Sequence, residues 1–121
     1  MQTMYSVGTD IIEVERVKTL IDKYGDKFLN KIFTSNEITY CESHKIPSIH
    51  FAGRFSVKES IKKAISSNHD ITKIKFNEIS VINDKNGRPY VDCKFFPLGK
   101  IDVSISHTET HAISIAILNN A

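Results

Sequence analysis

The stretch IHFAGRFSVKESIKKAIS, residues 49–66, is the longest helical pattern in the chain and determines how the rest of the sequence is interpreted. Apolar residues recur along one of its sides at spacings of three and four, and polar residues recur along another. The apolar side comprises Val57, Ile61, Ala64 and Ile65, and the polar side comprises Ser56, Glu59 and Lys63. The pattern predicts a long amphipathic helix that packs on a core.

Shorter elements precede this helix. Residues 4–8 alternate weakly and predict a strand, with Asp10 following at its exit. Apolar residues then recur with helical spacing from Val14 to about Lys23, and Gly25 interrupts them. The segment from Thr34 to Glu37 has the form of a capping box, so a further short helix should begin there.

After the long helix the apolar pattern changes from helical to alternating. Two alternating segments flank Asn86-Gly87, which predicts a β-hairpin. Residues 101–106 and 112–118 predict two more strands. Helices come mostly first and strands mostly last, so we expect an α+β fold with a largely antiparallel sheet packed against the long helix.

Length and composition limit the class of protein. A chain of 121 residues suits one domain over residues 1–121, and 40% hydrophobic with 25% charged residues is typical of a globular domain. No apolar run approaches the length of a membrane span, and the N-terminus lacks the pattern of a signal peptide. We therefore expect a cytoplasmic protein with Cys41 and Cys93 as structural thiols, and no membrane partner. A net charge of +2 is too small to indicate nucleic acid.

Asp10 and the long helix carry the first candidate site. Arg54, Lys58, Lys62 and Lys63 surround a single carboxylate, Glu59, within ten residues. One interpretation is a solvated helix face with a Glu59–Lys63 ion pair. The other is a site where a diphosphate and a hard cation balance the excess of positive charge, because Mg²⁺ binds one or two carboxylates together with water and phosphate oxygens.

His107 carries the second candidate site, in the segment Ser104-Ile105-Ser106-His107-Thr108 at a strand end. A histidine there is often structural. A Ser-His-Asp hydrolase is excluded, because Ser106 adjoins His107 and the nucleophile-elbow sequence is absent. The chain also lacks a P-loop and a dinucleotide fingerprint.

Together these segments resemble the holo-acyl-carrier-protein synthase family, a small bacterial type of 4′-phosphopantetheinyl transferase. The resemblance lies in GTDIIEVER (8–16), FTSNE (33–37), FAGRFSVKESIKKA (51–64), NGRPY (86–90) and VSISHT (103–108). These motifs occur in the family order and span nearly the whole chain. The family usually has a glycine-containing loop after the long helix, whereas this chain has Ser66-Ser67-Asn68-His69.

The resemblance implies a phosphopantetheinyl transferase fold and an enzyme that acts in fatty acid biosynthesis. It implies transfer of 4′-phosphopantetheine from coenzyme A to a serine of apo acyl carrier protein, with release of adenosine 3′,5′-bisphosphate. By similarity, Asp10 and Glu59 hold Mg²⁺, and Lys63 steadies the diphosphate. Whether Glu59 or a water on the metal accepts the serine proton stays open.

The same resemblance implies the binding residues and the assembly. Arg54, Lys58, Lys63 and His107 would contact phosphates of coenzyme A. Acyl carrier proteins are acidic and need a basic docking surface, for which we expect Arg16 to be the anchor; the alternative is a solvated arginine beside Glu13 and Glu15. Two other classes of function remain open: a magnesium-dependent coenzyme A diphosphatase, and a non-catalytic module that binds acidic proteins.

The resemblance also implies a homotrimer with active sites between subunits, and the last two strands give independent support for it. Bulky Ile113, Ile115 and Ile117 alternate with the smaller Ala112, Ser114 and Ala116, and Val103 and Ile105 alternate with serines. We expect the bulky faces to form the core beneath the helices and the small faces to meet a neighbouring subunit.

Overall fold

The long helix predicted from the sequence is the central element of the fold. The computed structural model describes residues 4–66 and 74–120, and the α+β class is confirmed. Its elements are β1 (Tyr5–Glu13), α1 (Val14–Tyr24), α2 (Asp26–Ile32), α3 (Ser35–Glu42), α4 (Pro47–Ser66), a 3₁₀ turn (Phe76–Glu78), β2 (Ile79–Asn83), β3 (Pro89–Cys93), β4 (Ile101–His107) and β5 (His111–Asn119).

The strands form two antiparallel sheets. The larger has the order β1-β5-β4, and β2 pairs with β3 in the smaller. Helix α4 packs against β1, β5 and β4 and also touches β2, so it joins the two sheets. No helix within residues 4–66 and 74–120 has the length and apolar character to cross a bilayer.

Local signals in the sequence account for the helix boundaries. Gly25 separates α1 from α2 with a φ of 56°, a conformation that favours glycine. The capping box at α3 is confirmed: the backbone N–H of Thr34 donates to Oε1 of Glu37 at 2.8 Å, and the N–H of Glu37 donates to the Thr34 hydroxyl at 3.4 Å. The hairpin prediction is also confirmed, since Gly87 lies in the turn between β2 and β3 with a φ of 84°.

Small residues let α4 approach the three-stranded sheet closely. A Cβ atom on Gly8 would lie 1.9 Å from the carbonyl oxygen of Ser60, so only glycine fits there. Gly8 pairs with Ala116 across β1 and β5, and Ser114 accepts or donates hydrogen bonds with the hydroxyls of Ser56 at 2.7 Å and Ser60 at 2.6 Å. Helix and sheet are therefore joined by backbone contact and buried hydroxyls.

This packing corrects the predicted orientation of β5. Its small residues Ala112, Ser114 and Ala116 face α4 and are buried, while its isoleucines face away. The prediction for β4 is right, because Val103 and Ile105 pack toward the core and Ser104 and Ser106 are exposed. Residues paired across two strands lie on the same face of the sheet. The register pairs a bulky residue of β4 with a small residue of β5, as Val103 with Ala116, so the core-facing residues are bulky in β4 and small in β5.

The outer face of the sheet is consequently apolar. Six large hydrophobic side chains on β1 and β5 are between 36% and 65% exposed. They are Tyr5, Val7, Ile11, Ile113, Ile115 and Ile117. We call this surface the outer sheet face. A contiguous apolar surface of this kind is typical of an interface between proteins.

Strand β1 is longer than predicted, which changes the position of Asp10. The strand pairs with β5 along its whole length, from Tyr5 opposite Asn119 to Glu13 opposite His111. Asp10 therefore lies within the strand, opposite Ser114, and not at its exit. The loop that departs from the family pattern, residues 66–69, lies outside the described residues except for Ser66.

Candidate active site

Asp10 and Lys63 meet where α4 crosses the edge strand β1. The Lys63 ammonium donates a hydrogen bond to the backbone oxygen of Thr9 at 2.9 Å and lies 3.4 Å from Oδ1 of Asp10. The Asp10 side chain is 15% exposed, whereas that of Lys63 is 56% exposed. The close packing of α4 on β1 thus places a carboxylate and an ammonium group side by side at an accessible edge.

Glu59 lies on the same side of α4, four positions before Lys63. Its carboxylate is half-buried, and it forms no ion pair within the part of the chain that the structure describes. The Glu59–Lys63 ion pair considered from the sequence is therefore not formed, since Lys63 turns toward Asp10 instead. One turn of helix carries both an unpaired carboxylate and a lysine next to the Asp10 strand.

A groove of about 570 Å³, lined by both polar and apolar side chains, opens beside this pair and runs onto the outer sheet face. It is lined by Thr9, Asp10, Ile11, Lys63, Ser104, Ser106, Ile113, Ser114 and Ile115. We call it the Asp10 groove. Hydroxyls, a carboxylate and an ammonium group around an open space suit a charged, oxygen-rich ligand.

The donor set of the Asp10 groove fits a hard cation of the Mg²⁺ type. No cluster of three or more His, Cys, Asp or Glu side chains suited to a metal occurs in the described ranges. Asp10 lines the groove, and Glu59 lies one helical turn before Lys63, outside that lining, so these two carboxylates would share a metal with water and phosphate oxygens in the open space. This is the ligand set that Mg²⁺ takes in phosphate-binding sites.

Arg54 and His107 lie together in a second, smaller pocket of about 190 Å³. Arg54 is only 4% exposed; it stacks on the Tyr40 ring, 3.9 Å from its centroid, and its Nη2 donates to Oδ1 of Asn83. Its buried Nε has no hydrogen-bond partner among the described residues. A buried guanidinium with a free donor is suited to an anion.

The two pockets are distinct in this chain. They share no lining residue, and Arg54 and Lys63 are nine positions, roughly 13 Å, apart along α4. The structure therefore divides the predicted residues into one group around Asp10 and another around Arg54.

Lys58 belongs to neither pocket, which corrects the prediction that it contacts coenzyme A. Its side chain has no exposed surface, and its ammonium donates to Oε1 of Glu37 at 2.6 Å, to the backbone oxygen of Ile32 at 2.7 Å and to that of Phe76 at 3.0 Å. Burial lowers the pKa of Lys58, and the nearby Glu37 carboxylate opposes that shift. The sequence did not reveal this because Glu37 lies 21 positions away.

Two histidines at the smaller pocket were not identified from the sequence. The rings of His44 and His50 stack with centroids 3.8 Å apart, and His50 also contacts His107 with centroids at 5.8 Å. Burial, and then the charges of His44, Arg54 and His107, lower the pKa of His50 to about 4. No periodic pattern joins these residues, because they belong to the segment after α3, to α4 and to β4.

Arg16 lines neither pocket. It is exposed on α1, next to Glu15. The fold and the two pockets together define a small α+β protein equipped to bind phosphate esters, with a carboxylate–ammonium pair in one pocket and a buried guanidinium in the other.

Comparison with known proteins identifies the family. A family model described as the 4′-phosphopantetheinyl transferase superfamily matches residues 6–116. The holo-[acyl-carrier-protein] synthase of Protochlamydia amoebophila is 40% identical over 116 residues, covering 92% of this chain and 94% of that protein. That of Thermodesulfovibrio yellowstonii is 42% identical over 112 residues, covering 93% and 96%.

Solved structures agree with this fold. A holo-(acyl-carrier-protein) synthase from Bacillus anthracis, in complex with CoA (3′,5′-ADP), superposes with a TM-score of 0.79 at 30% identity and 96% coverage of both chains. The synthase from Helicobacter pylori gives a TM-score of 0.81 at 24% identity, covering 93% of this chain and 99% of that one. The chain belongs to the 4′-phosphopantetheinyl transferase superfamily. The relatives named above are holo-[acyl-carrier-protein] synthases.

The assignment of Lys58 to the core can be tested by stability. Lys58→Met should lower the free energy of unfolding by about 3 kcal/mol, because it leaves the Glu37 carboxylate buried without its partner. Lys63→Met serves as the control, since it removes the same group from an exposed site and should change stability by less than about 1 kcal/mol. Urea denaturation measures both, and equal stabilities for the two variants would contradict the assignment.

Proposed function

We propose that this protein transfers the 4′-phosphopantetheine group of coenzyme A to a serine of apo acyl carrier protein, giving the holo carrier that fatty acid biosynthesis requires. The observation that carries the proposal is the pairing of Asp10 with Lys63 at an open polar groove. Support comes from the family to which the chain belongs and from relatives named for this activity. Phosphoryl transfer depends mainly on positioning and on neutralising charge, which these groups supply.

In the proposed reaction the serine oxygen of the carrier forms a bond to the phosphorus that bears pantetheine. The bond from that phosphorus to the bridging oxygen of the diphosphate breaks, and adenosine 3′,5′-bisphosphate leaves. The serine proton passes to a base at the site, and the half-buried Glu59 carboxylate is the candidate base that α4 supplies. Lys63, exposed beside the diphosphate position, offsets the charge that develops on the leaving phosphate and can donate a proton to it.

Asp10 and Glu59 are the residues that would hold Mg²⁺ in this site. When bound, the metal supplies charge neutralisation and orientation of the diphosphate. Arg54 and His107 would bind a phosphate of coenzyme A in the smaller pocket, and the unpaired Nε of the buried Arg54 supports this role. Lys63 would contact the diphosphate itself.

The direct test incubates the protein with apo acyl carrier protein, coenzyme A and Mg²⁺, and then weighs the carrier by mass spectrometry. A carrier that gains the phosphopantetheine mass supports the transfer. Consumption of coenzyme A with an unchanged carrier would instead indicate the diphosphatase. Binding of the carrier without any reaction would indicate a non-catalytic module.

The metal-binding carboxylates give the first functional prediction. Asp10→Ala and Glu59→Ala should each lower Mg²⁺-dependent transfer by about 100-fold or more, because each removes a charge that positions the diphosphate. Glu15→Ala removes an exposed carboxylate from α1 and is the matched control. Thermal melts should show that all three variants remain folded, and near-normal turnover of Asp10→Ala at low Mg²⁺ would refute the metal assignment.

Arg16 is proposed as the anchor for the carrier protein. It is exposed at the start of α1, directly after β1, which carries Asp10. Acyl carrier proteins are acidic, so an exposed cation on the helix that follows the Asp10 strand provides a complementary charge.

Arg16→Ala should raise KM for the carrier while changing KM for coenzyme A less. The difference from wild type should shrink at high ionic strength, because salt screens the contact in the wild type. Lys18→Ala is the control on the same helix, since Asp22 already neutralises Lys18 at 2.8 Å. Equal losses for both substrates in steady-state kinetics would rule out the docking role.

We also propose that the working enzyme is a cytoplasmic homotrimer whose active sites lie between subunits. The outer sheet face supports the assembly, because it exposes six large apolar side chains. The Asp10 groove opens on that same face, so a neighbour seated there would border the groove. The cytoplasmic location is supported by Cys41 and Cys93, both buried free thiols.

Ile117→Arg should yield folded monomers with little activity, because a buried arginine would disrupt the interface without touching the lining of the groove. Tyr24→Arg is the control, as it places the same charge on α1, away from the sheet, at a side chain 49% exposed. Sedimentation velocity measures the assembly, and wild-type activity should fall faster than concentration on dilution. A fully active wild-type monomer would disprove the trimer.

A further inference from the structure

A continuous stack of side chains runs beside the smaller pocket, and its members Tyr40, His50 and His107 line that pocket. The guanidinium of Arg54 lies over the Tyr40 ring, and the centroid of Tyr40 is 4.5 Å from that of His44. His44 stacks on His50, and His50 contacts His107. We call Tyr40, His44, His50 and His107 the histidine stack. It links the two residues proposed to bind phosphate through side chains that have no assigned role.

The charged groups that act on His50 are all basic. The groups that act on it are His44 from the segment after α3, Arg54 on α4 and His107 on β4, and all of them are basic. Tyr40 on α3 contributes a neutral phenol, and Asn83 on β2 contributes an amide to the pocket. Burial, and then the charges of His44, Arg54 and His107, explain why the pKa of His50 is lowered to about 4.

The pocket also has unused donors. Arg54 is 4% exposed, and its Nε has no partner in the described ranges. The Nδ1 of His44 lies 2.7 Å from the backbone oxygen of Tyr40, so Nδ1 carries the proton and donates it. Nε2 of His44 is then the nitrogen that can accept a further proton.

We propose that His44 and His50, with Arg54 and His107, form a proton-coupled site for a phosphomonoester dianion, in which the histidine stack takes up a proton as the ligand binds. The identity of the ligand, a phosphate of the nucleotide part of coenzyme A, rests on the proposed function. A dianion offsets the repulsion among the basic groups, so it stabilises their protonated forms.

The sign of the pH dependence follows from linkage. The stack holds a proton more tightly with the dianion bound than without it, so affinity falls as pH rises through the titration of the complex. The second ionisation of a phosphomonoester, near pH 6, has the opposite effect, because it increases the dianion as pH rises. A loss of affinity above neutral pH therefore reports the titration of groups in the protein, and not the ionisation of the ligand.

Isothermal titration calorimetry with adenosine 3′,5′-bisphosphate tests the proposal. Measurements at pH 7.0 in buffers of different ionisation enthalpy give the number of protons exchanged, and wild type should take up about half a proton per ligand. The dissociation constant should rise about threefold from pH 6.5 to pH 7.5.

His50→Phe and His44→Phe keep an aromatic ring in the stack but remove a titrating nitrogen. Both should reduce the proton uptake and flatten the pH dependence, while the affinity at pH 8 stays within about twofold of wild type. His111→Asn removes an exposed histidine from outside the stack and should retain the wild-type uptake. Two variants are used so that one that fails to fold does not decide the outcome.

No binding of the bisphosphate, no proton uptake by wild type, or wild-type uptake in both folded variants would each overturn the inference. The transfer assay on the same preparations separates it from the proposed function. Transfer without proton uptake refutes the inference alone, whereas proton-coupled binding without transfer refutes the function alone.

Discussion

The contact between α4 and the edge of the three-stranded sheet is the constraint on which both the fold and the site depend. Gly8 leaves room for the backbone of Ser60, and the hydroxyls of Ser56 and Ser60 reach Ser114 on β5. A larger residue at position 8 would push the helix outward. Since Lys63 follows Ser60 by less than one turn, the same contact brings its ammonium to Asp10.

A buried ion pair holds the other side of α4. Glu37 accepts hydrogen bonds from Lys58, from the backbone of Thr34 and from the backbone N–H of Val81 at 2.8 Å. One carboxylate thereby joins α3, α4 and β2. Such a group is costly to bury and costly to disrupt, because each of its oxygens is matched to a donor. Among the basic residues of α4, Lys58 is therefore part of the core, whereas Arg54 lines the smaller pocket and Lys63 lines the Asp10 groove.

The exposed isoleucines of β5 follow from the same close packing. Small residues must face α4, so the bulky ones on this alternating strand are directed to the opposite face. The close packing of α4 on one face of the sheet therefore leaves an apolar surface on the other face. Assembly through that surface would connect the packing of a single subunit with the environment of the Asp10 groove.

The sequence by itself determined the class of fold, the helix caps, the hairpin and the family, because these depend on local periodicity, on glycine and on contiguous motifs. It also named Asp10 and Lys63, which the fold brings together, although it placed Asp10 beyond β1 instead of within it. Tertiary structure alone decided that Lys58 is buried against Glu37, that Ile115 faces outward and that His44 stacks on His50. Each of these depends on strand register or on contacts between distant segments, and alternation within one strand cannot specify which of its two faces is buried.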